Sequence, residues 1–217
     1  MSIRSLLILA FSVMPPLPTP SHLLPRKTPR QQRSAATVAA ILEAAAHILE
    51  EEGFDGYTTN AVAARAGVSI GSVYQYFPNR DSVTRALIER RSEALLGAIL
   101  LIDPAAKGRD GIKHVIRIAV AQQLRQAGLA RLLDLEEARM PPSDLMRSQG
   151  TRASEVIRTY LIQAGIPDLQ FNTVVGDVMA ITLGMVDAAG RRGETDEDAL
   201  TTRVVRAVTG YLDGTSD

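Results

Sequence analysis

The chain of 217 residues contains no cysteine. It therefore has no disulfide framework, no thiolate metal site and no cysteine nucleophile. An absence of cysteine fits a reducing cytoplasm, and we expect a cytoplasmic protein.

Histidine is also scarce, with three residues in the whole chain: His22, His47 and His114. His47 and Glu51 stand four residues apart, a spacing that two metal ligands on one helix face can have, but we interpret them as a solvated pair. The sequence has no glycine-rich phosphate loop, no nucleophile elbow and no HExxH motif. We therefore expect no enzyme, no cofactor and no metal site.

The charges balance, with 24 lysines and arginines against 24 aspartates and glutamates. No overall field draws the chain to nucleic acid or membrane, so a nucleic-acid function requires a local patch. The apolar run after Arg4 is too short to span a bilayer, and no small-residue cleavage site follows it. We expect a true start at Met14 or a disordered extension, and no membrane partner; a secretory signal is the open alternative.

The N-terminal region is rich in proline, with six of the eleven prolines between Pro15 and Pro29. Proline interrupts helices and ladders, so residues 1–34 are predicted to be a disordered arm. The arm ends in RKTPRQQR, a basic run without an acid. Such a run is usually a solvated tail, but beside a DNA-binding unit it can reach phosphates or a minor groove.

Helical periodicity begins at Ala36. Apolar residues recur at steps of three and four as far as Gly53, which is predicted to stop the first helix. No segment alternates between polar and apolar residues, so the predicted fold class is all-α. Further long helices are predicted at about 80–102, 112–127, 129–139, 144–164, 168–191 and 196–213. We interpret the run Glu50–Glu52 as a solvated face.

Two short helices joined by a tight turn follow the first helix. Thr58 and Thr59 offer caps to NAVAARA, and Ser69 can cap IGSVYQYF, which ends before Pro78. In the turn AGVS, Gly67 can take a positive φ. Helix, turn and helix in this order is the geometry that sets a second helix into a DNA major groove.

The composition of this segment supports the same interpretation. No acidic residue stands between Gly56 and Arg80, and an anionic duplex would be repelled by one. Val73 and Phe77, one turn apart, are predicted to face inward. Tyr74 and Tyr76 lie on different faces of a helix and are harder to bury together, so we expect them to pack on a DNA backbone; the alternative is that both cap a small core.

The segment GFDGYTTNAVAARAGVSIGSVYQYFPNRDSV, preceded by the helix at 36–52, resembles the tetracycline-repressor (TetR) family of transcriptional regulators. It departs mildly from the family pattern, with valine at 62, 73 and 83 and with Arg80 where lysine is commoner. The resemblance implies a three-helix helix-turn-helix DNA-binding domain at 35–80. A helical effector-binding and dimerisation domain is implied at 81–217.

The resemblance also implies which residues contact DNA. Thr59 and Asn60 would contact phosphates, Tyr74 and Tyr76 would pack on the backbone, and Arg80 would add a charged phosphate contact. Base edges would be read from the second helix, where Gln75 can pair with adenine. The full set of expected DNA-binding residues is Thr59, Asn60, Ser69, Ile70, Gly71, Ser72, Tyr74, Gln75, Tyr76 and Arg80.

For the C-terminal part the resemblance implies a homodimer formed by the last two helices and a pocket for an unknown small-molecule effector. Gly176, Ala180 and Gly184 form a stripe of small residues that lets a partner helix come close. No effector residues are assigned. The function implied is a repressor that binds a palindromic operator on double-stranded DNA and is released by its effector. The alternative is a ligand-independent or activating regulator of the same fold.

Overall fold

A computed structural model of the chain describes residues 32–103, 105–166 and 171–214. This part of the chain contains nine α-helices and no strand, which confirms the all-α prediction. The helices are α1 Gln32–Gly56, α2 Thr59–Arg65, α3 Ile70–Tyr76, α4 Arg80–Leu100, α5 Gly108–Arg125, α6 Ala127–Arg139, α7 Asp144–Gln163, α8 Phe171–Arg191 and α9 Glu197–Gly214.

The predicted arm lies outside the described residues except for its last three positions, 32–34, which are helical. The boundary predicted at Ala36 is therefore wrong by one helical turn. The prediction followed the apolar stripe, which begins at Val38, whereas the helix starts earlier with polar residues that favour helix but add nothing to the stripe. Likewise α5 begins at Gly108 and not at residue 112.

α1 bends near its end at Gly53. This glycine has φ 65° and ψ −156°, a conformation that is open essentially to glycine alone. The helix resumes for one short turn to Gly56, so the predicted stop is a kink within α1. Upstream of the kink the predicted apolar stripe is buried, with Ile41, Ala45 and Leu49 fully shielded from solvent.

Tyr57, between α1 and α2, is the centre of the small N-terminal core. Its side chain is fully buried, and its ring meets that of Phe54 edge to face at a centroid distance of 6.4 Å. The Thr84 hydroxyl of α4 lies 3.2 Å from the Tyr57 phenol oxygen and 3.1 Å from the Arg80 carbonyl oxygen. Burial raises the pKa of Tyr57, so the phenol stays protonated and joins α4 to the segment before α2.

α4 runs through both parts of the molecule. It buries Val83, Leu87, Leu95 and Ile99 along its length, and it packs on α1, α5, α6 and α7. Arg85 is fully buried on this helix, and its Nη2 donates to the Pro141 carbonyl at 2.8 Å. Burial lowers the pKa of Arg85, while Glu89 and Glu137 oppose that shift.

α8 and α9 pack against each other and against α5. By length and composition, residues 172–191 are apolar enough to cross a membrane, and half of the most apolar window is buried inside the protein. In the predicted stripe of small residues, Ala180 and Gly184 are exposed, whereas Gly176 is buried within its own chain. Of the three residues, only Ala180 and Gly184 can therefore contact a partner helix.

The burial pattern of α3 gives the first testable expectation. Phe77→Ala empties a site that is 1% exposed, and we expect it to lower the free energy of unfolding by about 3–5 kcal/mol. Tyr74→Ala, three residues earlier and 43% exposed, is expected to change it by about 0.5 kcal/mol. Urea unfolding followed by circular dichroism measures both, and equal losses would contradict the anchoring role of Phe77.

Candidate nucleic-acid interface

The two helices of the helix-turn-helix start at side-chain caps, as the sequence predicts. The Thr58 hydroxyl accepts from the Ala61 backbone N–H at 3.1 Å and starts α2. After α2 the chain reverses at Gly67, whose φ is 66°, and the Val68 N–H donates to the Ala63 carbonyl at 3.1 Å. The Ser69 hydroxyl then accepts from the Ser72 N–H at 3.0 Å and starts α3.

α3 has one buried and one exposed face. Val73 and the following Phe77 are buried in the N-terminal core, as the sequence predicts. The opposite face leaves large side chains in solvent: Ile70 is 37% and Tyr74 is 43% exposed. Gln75 is exposed beside them. The helix is therefore held mainly by Val73 and by Phe77 directly after it, and its outer face is available for contact.

The ten expected DNA-binding residues lie on α2, α3 and the start of α4. Seven are exposed: Asn60, Ser69, Ile70, Gly71, Tyr74, Gln75 and Arg80. The other three are half-buried: Thr59, Ser72 and Tyr76. Tyr76 packs partly against the hydrophobic core, whereas Tyr74 does not, so the alternative in which both tyrosines cap the core does not hold for Tyr74.

Two hydroxyl pairs organise this surface. Thr59 Oγ1 on α2 lies 3.2 Å from the Tyr74 hydroxyl on α3, which joins the two helices on their exposed side. Within the cap of α3, Ser69 Oγ lies 2.8 Å from Ser72 Oγ. The structure thus brings Thr59 and Tyr74 together, although they are far apart in sequence, and no local pattern predicts this pair.

Arg80 is held at the edge of the surface. Asn79 caps α4, with its Oδ1 accepting from the Ser82 N–H at 2.9 Å, and this fixes Arg80 as the first helical residue. The guanidinium carbon lies 5.9 Å from the centroid of the Tyr57 ring. Arg80 forms no ion pair with any residue that the structure describes. Tyr57 and Asn79 therefore position this cation; the sequence signal that identifies the cap is Asn followed three residues later by Ser.

Arg65 is the other cation of this segment, and its charge is neutralised. Its guanidinium makes two hydrogen bonds to the Glu51 carboxylate, at 2.5 and 2.6 Å. These hydrogen bonds raise the pKa of Arg65 and lower the pKa of Glu51. Glu50, Glu51 and Glu52 are exposed, as predicted. The ion pair of Glu51 was not predicted: the end of α1 packs beside α2 and brings a carboxylate to a segment that has none in sequence.

His47, the other half of the suggested metal pair, is exposed. Across the described ranges, no group of three or more histidine, aspartate or glutamate residues is arranged to hold a metal ion.

A cavity of about 380 Å³ lies in the C-terminal part, between α4, α5 and α6. Its size falls in the range of small-molecule sites. Leu87 and Leu129 line it, together with Gln122 and Arg125 of α5. No local sequence signal separates these two polar residues from the others on α5.

Residues 41–87 match the model of the family "Bacterial regulatory proteins, tetR family". Among curated proteins, the nucleoid occlusion factor SlmA of Vibrio vulnificus is 33% identical over 125 residues, which are 57% of this chain and 63% of that protein. SlmA of Shewanella woodyi is 30% identical over 124 residues, 57% of this chain and 62% of the relative. The chain thus spans somewhat less than two thirds of the length of these relatives.

Solved structures extend the likeness beyond the matched segment. A TetR-family transcriptional regulator from Streptomyces coelicolor is 25% identical with a TM-score of 0.63, covering 82% of this chain and 99% of that one. A protein of unknown function from Rhodococcus sp. RHA1 shares the fold with a TM-score of 0.68 at 19% identity, covering 83% and 96% of the two chains.

The two glycines of the helix-turn-helix are expected to respond in opposite directions to the same substitution. Gly67→Ala forces a side chain into the left-handed region and is expected to cost about 1–2 kcal/mol of stability. Gly71→Ala adds a methyl group that meets only Ser69 Oγ, at 3.7 Å, and is expected to leave stability unchanged or raise it by up to about 1 kcal/mol. Urea unfolding compares them; a large loss for Gly71→Ala would mean that the geometry of α3 described above is wrong.

Proposed function

We propose that the chain is a DNA-binding regulator of the TetR helix-turn-helix family that acts as a homodimer on a palindromic operator. The match of residues 41–87 to the family model and the likeness to a TetR-family regulator of Streptomyces coelicolor support this proposal. In this proposal it represses transcription, and a small-molecule effector releases it from DNA. It acts in the cytoplasm, without a catalytic reaction of its own.

The exposed face of α3 is the observation that carries the proposal. Ile70 and Tyr74 stay in solvent although Val73 and Phe77 of the same short segment are fully buried. An isolated protein gains nothing from this exposure, whereas a helix that enters a major groove needs apolar and hydrogen-bonding side chains on its outer face.

The proposed contacts fall into two groups. Thr59, Asn60, Tyr74, Tyr76 and Arg80 bind the phosphate backbone and fix the register. The Thr59 and Tyr74 hydroxyl oxygens are 3.2 Å apart, so one hydroxyl donates to the other, and the accepting hydroxyl keeps its own hydrogen for a phosphate oxygen.

The remaining residues face the bases or permit the approach. Ile70 touches a thymine methyl, Gln75 pairs with adenine, and Ser72 contacts a base edge, each good contact being worth about 1–3 kcal/mol of discrimination. Gly71, whose missing side chain leaves open space, lets the helix backbone come close. Ser69 caps the helix and lies at the same edge.

The proposed domains are 35–80 for DNA binding and 81–217 for effector binding and dimerisation, with the basic end of the arm at 26–33 touching phosphates. A second copy would cover the outer face of α8, where Ala180 and Gly184 are exposed and Ile181 and Met185 are half-buried. Small residues at this face allow two copies of α8 to approach closely.

A DNA-binding protein of the same fold that works without an effector is the second candidate. The cavity between α4, α5 and α6 favours the first, because a ligand-independent protein has no use for a cavity of this size with arginines in its wall. Release of DNA by a small molecule distinguishes the two candidates.

Binding to random-sequence duplexes tests the phosphate contacts without knowledge of the operator. For wild type we expect affinity to fall steeply as salt rises, because bound phosphates release counterions. Arg80→Ala removes one phosphate contact from each copy. For the dimer, the negative slope of log K against log salt is therefore expected to become shallower by about 2. Fluorescence anisotropy at stepwise salt concentrations measures this slope.

Arg152→Ala is the matched control, since Arg152 is an exposed arginine of α7, outside the proposed interface. It is expected to leave the slope unchanged. Equal slopes for wild type and Arg80→Ala would remove Arg80 from the interface.

Dimerisation is tested at Gly184, where an added Cβ would meet no atom of its own chain within 4 Å. Gly184→Glu leaves the monomer intact but sets a charge on the proposed interface, so we expect the dimer to dissociate in sedimentation equilibrium. Gly128→Glu on α6 is the control, because this glycine is also exposed with equally open space. A Gly184→Glu protein that stays dimeric would exclude this face of α8 from the interface.

A further inference from the structure

The wall of the cavity between α4, α5 and α6 is mostly apolar but carries three arginines. Leu87, Ile118 and Leu129 contribute to the apolar part, and Arg90, Arg91 and Arg125 contribute to the polar part, together with two glutamines. None of the residues that line it is acidic. Arg91 is half-buried, whereas Arg90 and Arg125 are exposed, so the hydrogen bonds and ion pairs of each arginine decide which of them can receive a ligand.

Arg91 already has its compensation inside the protein. Its Nη2 donates to Gln123 Oε1, and its Nη1 lies 3.7 Å from Asp134 Oδ1. Neither partner lines this cavity, and both line a separate, smaller one. Burial lowers the pKa of Arg91, and Asp134 opposes that shift. Arg91 therefore closes the wall and is not the group that receives a ligand.

Arg90 and Arg125 are different. Arg90 makes one long hydrogen bond, from Nη2 to the Leu42 carbonyl at 3.4 Å, and Glu43 attracts it without forming an ion pair. Arg125 has no hydrogen bond or ion pair with the residues in the described ranges. Two guanidinium groups on two helices thus border one cavity without a carboxylate bound to either.

Gln122 belongs to the polar part of the cavity wall. Its Nε2 donates to the Arg91 carbonyl at 2.8 Å, which fixes the amide in the wall. Arginine pairs best with planar, two-oxygen groups, to which it can donate two parallel hydrogen bonds.

We propose that this cavity binds an organic anion, a carboxylate or phosphate head group on an apolar body, with the head group between Arg90 and Arg125 and the body against Leu87, Ile118 and Leu129. The inference rests on the proposed function, since it names the chemical class of the effector. An uncharged ligand of the same shape forms no ion pair with either arginine, so it is expected to bind more weakly.

The position of the cavity connects it to the DNA-binding helices. α4, which carries Arg90, begins at the proposed phosphate contact Arg80, and α6 packs on both α1 and α4. Arg139 at the end of α6 lies 3.9 Å from Asp81 in the first turn of α4. An anion that draws Arg90 on α4 and Arg125 on α5 together changes the packing of α4 on α6, and so acts on the elements that hold the helix-turn-helix.

Calorimetric titration of the full chain without DNA tests the head group. The probes are octanoate, octyl phosphate and 4-phenylbutyrate, with octanamide and 4-phenylbutyramide as neutral isosteres. We expect saturable binding of at least one anion and binding of its neutral counterpart at least tenfold weaker. The affinities of octanoate and octyl phosphate show which of the two head groups the cavity prefers. Equal affinity for a carboxylate and its amide, or no saturable binding of any anionic probe, overturns the proposal.

Variants test the two arginines. Arg90→Gln and Arg125→Gln are each expected to weaken binding of the anion at least tenfold. Arg125→Lys is expected to weaken it less than Arg125→Gln, because lysine keeps the charge but not the two parallel hydrogen bonds. Arg117→Gln is the matched control, because Arg117 is an exposed arginine of the same helix that does not line the cavity. Thermal unfolding by circular dichroism verifies that each variant is folded. Unchanged affinity in both glutamine variants would contradict the site.

DNA binding measured in parallel separates this inference from the proposed function. Anion binding without any DNA binding would leave the site intact and contradict the regulator. DNA binding without anion binding would leave the regulator intact and overturn the anion site. If both hold, the anion is expected to reduce DNA affinity at least fivefold, in line with typical coupling between two sites.

Discussion

The anchoring of α3 by Val73 and Phe77 is the constraint on which the rest of the surface depends. A seven-residue helix is not stable in water by itself, so α3 exists only because these two side chains are buried against the N-terminal core. The exposed face with Ile70, Tyr74 and Gln75 can carry contact residues because none of them is needed for that anchoring.

The same core extends into α4 through Tyr57. The Thr84 hydroxyl is within hydrogen-bond distance of the buried phenol and of the Arg80 carbonyl. The Tyr57 ring, which the Arg80 guanidinium covers, is therefore attached to the start of α4. The helix then continues without interruption to the cavity, where it contributes Arg90. Arg85, between these two points, binds the Pro141 carbonyl in the loop after α6. Any shift of α4 against α6 must therefore be accommodated at a buried, hydrogen-bonded contact.

Much of this could be predicted from local sequence patterns, and the reason is physical. Caps at Thr58 and Ser69, the reversal at Gly67 and the inward pair Val73 and Phe77 are all encoded within a few residues of where they act. The same holds for most helix boundaries. Periodicity does not predict the start of α1, because the first residues of this helix lie ahead of the apolar stripe.

What could not be predicted depends on contacts between distant segments. Glu51 neutralises Arg65, Thr59 meets Tyr74, and Arg85 is buried against a loop 56 residues away. None has a spacing that marks it, because each arises only when helices pack. The cavity also depends on contacts between distant segments. Arg90 and Arg125 lie on different helices, and only the fold brings both to one cavity wall.

The central claim is that the chain reads DNA sequence as a symmetric dimer. The most direct measurement is selection of random duplexes by the purified full chain at moderate salt, followed by sequencing of the bound pool. The account predicts enrichment of an inverted repeat whose half-sites suit two recognition helices about 34–36 Å apart. A folded, dimeric protein that enriches no sequence, with or without the anionic probes, would contradict it.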